Sequence, residues 1–82
     1  MRSVYMGDCR LGGGTVRYHL LVEEVEGLGE NYGVQLEGFG QMEAISGVTV
    51  SQSRALALLE KLRRCAVTPT GLRDVVEDWL LS

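Results

Sequence analysis

Apolar and polar positions alternate most regularly between residues 15 and 26, TVRYHLLVEEVE. Val16, Tyr18, Leu20 and Val22 take turns with Arg17, His19, Leu21 and Glu23. A period of two predicts a β-strand with the first set on a buried face. The second set is mixed and should be mostly solvated, as one face of an antiparallel sheet allows. Leu21 and Val25 nevertheless place apolar side chains on that face. Residues 31–37, NYGVQLE, repeat the pattern with Tyr32, Val34 and Leu36 inward. Residues 41–50, QMEAISGVTV, predict a further strand whose alternation breaks at Ser46-Gly47, because Ile45 and Val48 have opposite parity. A β-bulge at Gly47 restores it. Residues 2–11, RSVYMGDCRL, read as a weaker strand: Tyr5, Cys9 and Leu11 share one parity, Val4 and Met6 the other, and neither face wins. Gly12–Gly14, Gly27–Asn31 and Gly38–Gly40 supply the turns.

After residue 50 the period changes. Ala55, Leu58, Leu59 and Leu62, with Leu56 beside them, fall at helical spacing and predict a helix over 52–65, capped by Ser51 or Ser53. Its last turns carry Lys61, Arg63 and Arg64, where cations suit the helix dipole. Ala66-Val67-Thr68 is a tight reversal. A second helix over 69–81 opens with Thr68 as the cap and Pro69 at a position where a missing N–H costs nothing. Its stripe is Leu72, Val75, Val76, Trp79 and Leu80. The expected fold class is α+β: a three- or four-stranded antiparallel meander followed by a C-terminal helical hairpin packed on one face. Tyr18, Leu20, Leu59, Leu62, Leu72, Val75, Val76 and Trp79 are the expected core anchors, with Trp79 held between the second helix and the sheet.

Eighty-two residues make one domain with a modest core. Net charge is −3: residues 1–50 carry three basic and seven acidic side chains, and residues 51–82 five and four. Neither half has the positive excess of a phosphate-binding surface, so nucleic acid is a poor partner. No apolar run is long enough to span a bilayer and the N-terminus lacks a signal-peptide core, which predicts a cytoplasmic protein. Cys9 and Cys65 form neither a CxxC pair nor a disulfide framework and read as reduced thiols.

The segments Tyr18-His19-Leu20-Leu21, Tyr32-Gly33-Val34, Val67-Thr68-Pro69 and Leu72-Arg73-Asp74-Val75-Val76-Glu77-Asp78 together resemble a family of short bacterial proteins known only as a domain of unknown function. The likeness runs from about residue 15 to the end. It implies a bacterial cytoplasmic protein and carries over no activity, substrate or cofactor.

Catalytic sets are missing from the sequence. Gly12-Gly13-Gly14 is not followed by Gly-Lys-Ser/Thr, and Gly27, Gly29 and Gly33 do not complete a dinucleotide fingerprint. His19, the only histidine, is expected on an outward strand face as a solvated side chain without a partner. Cys9, His19 and Cys65 have no metal-ligand spacing, so no metal and no cofactor are expected. Asp74, Glu77 and Asp78 lie on one helical face, opposite the apolar stripe. Their mutual repulsion asks for a nearby cation, from Arg54 or from a partner. Arg54, Lys61, Arg63 and Arg64 form the densest basic group. The expectation is a non-catalytic interaction or regulatory module, a homodimer or a binder of another protein, contacting its partner through Leu21, Val25, Asp74, Glu77 and Asp78. The alternatives are a nucleic-acid-associated regulator using the basic helix 54–64, and a metal protein or enzyme using the acidic group 74–78.

Overall fold

A computed structural model describes residues 1–27 and 29–81. Four strands, β1 (Arg2–Leu11), β2 (Gly14–Val25), β3 (Gly29–Gly38) and β4 (Gln41–Thr49), form one antiparallel sheet in sequential order. Two helices follow, α1 (Gln52–Arg64) and α2 (Leu72–Leu81), with a 3-10 turn over Pro69–Gly71 between them. Leu28, in the expected second turn, and Ser82 lie outside the described residues.

The inward faces of β2 and β3 are as the alternation predicts. Val16, Tyr18, Leu20, Val22, Tyr32, Val34 and Leu36 are all buried in one cluster. From the helices, Ala55, Leu58, Leu59, Leu62, Leu72 and Val76 complete it. Leu58, Leu62 and Leu72 have no exposed surface.

The centre of the helical layer is α1, which packs against all four strands, whereas α2 packs within the sheet chiefly on β4. Four of the buried side chains lie on α1 and two, Leu72 and Val76, on α2. Two expected anchors therefore sit at the margin: Val75 and Trp79 are half-buried and pack against the cluster from outside. The reason is position. α1 crosses the middle of the sheet, and α2 returns along its β4 side, where Leu72 and Val76 are buried, Val75 and Trp79 half-buried and Leu80 exposed.

Both edge strands are bulged. Between Ile45 and Thr49 the register against β3 slips, and Gly47 takes φ +66°, so Ile45 and Val48 both pack on the core as the broken alternation implies. A second bulge lies between Tyr5 and Gly7 of β1, with Gly7 at φ +140°. It reverses the parity of the strand. Val4 opposite Leu20, and Cys9 opposite Val16, thus lie on the same inward face although their numbers differ in parity. That is why the β1 sequence offers no winning face.

The caps complete the picture. Ser51 caps α1, its Oγ accepting from the Arg54 N–H at 3.3 Å. At the other end Ala66 donates to the Arg63 carbonyl (3.1 Å) and Val67 to the Leu62 carbonyl (3.0 Å), the two bonds of a Schellman motif. Ala66 takes the left-handed position, φ +54°, that glycine usually occupies. Thr68 does not cap with its side chain; its Oγ1 lies 3.2 Å from the Thr70 hydroxyl, and its carbonyl accepts from Gly71 N–H (3.1 Å). Pro69 occupies the first turn as expected. Tyr18 ties the sheet to the interhelical turn by donating its hydroxyl to the Val67 carbonyl at 2.8 Å.

Candidate functional site

Opposite the helices, β1, β2 and β3 carry a ladder of polar side chains on the sheet's uncovered face. Strand alternation sets Arg17 and His19 on this face of β2, and antiparallel register brings them opposite Glu37 and Gln35 of β3. His19 Nε2 is 3.3 Å from Glu37 Oε1, and Arg17 approaches the same oxygen at 3.8 Å. On the other side Tyr5 of β1 lies opposite His19, their rings edge to face with centroids 5.7 Å apart. The Tyr5 hydroxyl donates to Asp8 Oδ2 at 2.6 Å, and that bond is the main reason its pKa lies above the usual tyrosine value. His19 is therefore a partnered side chain only 14% exposed, not the solitary solvated one the sequence suggests. The signal in the sequence is a glutamate, Glu37, at the diagonal cross-strand position, readable only once the β2–β3 register is known.

A histidine and a carboxylate in contact can move a proton or hold a polar partner. This pair stands on an open sheet face. The nearest recess, about 440 Å³, opens beside the β3–β4 turn and is lined by Arg17, Glu37, Phe39 and Met42 among others. Phe39 and Gly40 both have positive φ there, and the Phe39 ring lies over Gly14. Among the described residues no group of three or more His, Cys, Asp or Glu side chains is arranged to hold a metal ion. Cys9 and Cys65 are free thiols.

Leu21 and Val25 were expected to leave an apolar surface for a partner. Leu21 is buried within its own chain, 5% exposed, and Val25 is half-buried. The opposing residue, Gly33, explains part of this: a Cβ there would meet the Ile45 carbonyl and the Ser46 Cα, so the β4 bulge fills the space beside Leu21 that a side chain would take.

Asp74, Glu77 and Asp78 are all exposed along α2, and none takes part in an ion pair among the described residues. Arg54, their expected counter-ion, instead lies over the Trp79 ring, 4.8 Å from its centroid. Arg63 binds both carboxylate oxygens of Glu60 at 3.0 Å, which raises its pKa. Its aliphatic stem also fits against β1, where a Cβ on Gly7 would stand 3.4 Å from Arg63 Cδ. The basic side chains of α1 are thus divided between its two flanks and do not form one face.

The large apolar side chains that remain exposed include Phe39 and Met42 around the β3–β4 turn, Val50 just after β4, and two further groups. Met1, Val4, Tyr5 and Met6 lie along the first half of β1, and Leu80 and Leu81 end α2. The sequence marks β1 as a strand with no winning face, and only its bulge and edge position show that this leaves Val4, Tyr5 and Met6 exposed.

A four-stranded antiparallel meander, a helical hairpin on one face and a polar ladder on the other define a small α+β protein with an open surface. The chain belongs to the DUF6514 family, a family of unknown function, whose profile matches residues 8–82. The match begins within β1, earlier than the resemblance read from residue 15 onward. No curated protein and no solved structure matches the chain. No helix among the described residues is long and apolar enough to cross a membrane.

Proposed function

We propose that the chain is a non-catalytic protein-interaction module of the cytoplasm, and that its first partner is a second copy of itself. One observation carries this reading: Met1, Val4, Tyr5 and Met6, from 38% to 72% exposed, follow one another along the β1 edge of the sheet, Val4 on the helix side and Tyr5 on the open face. Exposed apolar groups collected along one edge are more informative than the same number scattered. The bulges in both edge strands twist the backbone away from regular pairing. Contact therefore runs through the β1 side chains and not through an added strand. A two-fold arrangement lets one edge cover itself. Sedimentation equilibrium at tens of micromolar tests it. Association of the natural chain, weakened by Met6→Glu in a variant with unchanged circular dichroism, is the expected result. A single species at 9.0 kDa rejects self-association. Association that Met6→Glu leaves untouched rejects the β1 edge.

A further inference from the structure

We draw no further inference here: the strongest candidate, the recess beside the β3–β4 turn between Arg17, Glu37, Phe39 and Met42, is open surface whose two charges already face each other, and nothing in the structure shows what covers it.

Discussion

Replacing Tyr18 by phenylalanine removes one oxygen from the core and keeps the ring. The Tyr18 side chain is 1% exposed, and its hydroxyl reaches from the middle of β2 to the Val67 carbonyl at the turn between the helices. A hydrogen bond of this kind contributes about 0.5–1.5 kcal/mol net, and losing it leaves a carbonyl short of its partner at a cost of about 1–3 kcal/mol if water does not replace it. Tyr18→Phe should therefore lower stability by about 1–2 kcal/mol at pH 7 in urea unfolding followed by circular dichroism. The pH dependence is a sharper test. Burial pushes the Tyr18 pKa from 10.0 up to about 12. A pKa raised on folding means the unfolded chain releases the proton first. The stability this group contributes is then complete below pH 10 and drains away as pH rises from 10 toward 12. A two-unit difference gives about 1.4 kcal/mol of loss at pH 11, and screening of the part-buried hydroxyl brings this to about 1 kcal/mol. Phenylalanine has no proton to lose. The gap between natural chain and variant should accordingly shrink by about 1 kcal/mol between pH 8 and pH 11. Titration of Tyr5 and Tyr32, whose shifts come from their own hydrogen bonds to Asp8 and Glu30, is common to both chains and cancels in the difference. A gap that stays constant over that range would refute the reasoning, because it would mean the hydroxyl titrates alike in both states.

Three further substitutions probe the packing. Ala66→Gly should raise stability by about 0.5–1 kcal/mol, since the left-handed backbone at Ala66 is strained for alanine and free for glycine; a lower thermal midpoint would show that glycine's extra entropy in the unfolded chain outweighs the strain. Gly33→Ala should destabilise by about 1–3 kcal/mol, because its Cβ would press on the Ile45–Ser46 backbone of the β4 bulge; an unchanged urea midpoint would mean the bulge moves freely. Leu62→Ala, at a fully buried site of α1, should cost about 2–5 kcal/mol and more than Trp79→Ala at the half-exposed margin; the reverse order would make α2 the centre of the core after all.

Much of the architecture is local and therefore legible in the chain. The period-two runs of β2 and β3, the glycine turns and the period of α1 each depend on residues within a dozen positions of one another, and they suffice for the meander, the helices and the inward set from Val16 to Leu36. The break at Ser46-Gly47 is equally local, because residues inserted into one strand interrupt its alternation where they stand. The depth of a helix is not local. α1 and α2 show similar apolar stripes, and only their placement on the sheet makes Leu62 central and Trp79 marginal. The polar ladder needs register as well: Glu37 meets His19 across 18 residues of chain, and Tyr5 meets it from a third strand. The surroundings of Leu21 involve still more distant groups, since its cross-strand neighbour Gly33 has the β4 backbone at Ile45 and Ser46 where a side chain would stand. Period and capping are written into neighbouring residues by backbone geometry, whereas burial and pairing are settled by which elements come to lie against one another.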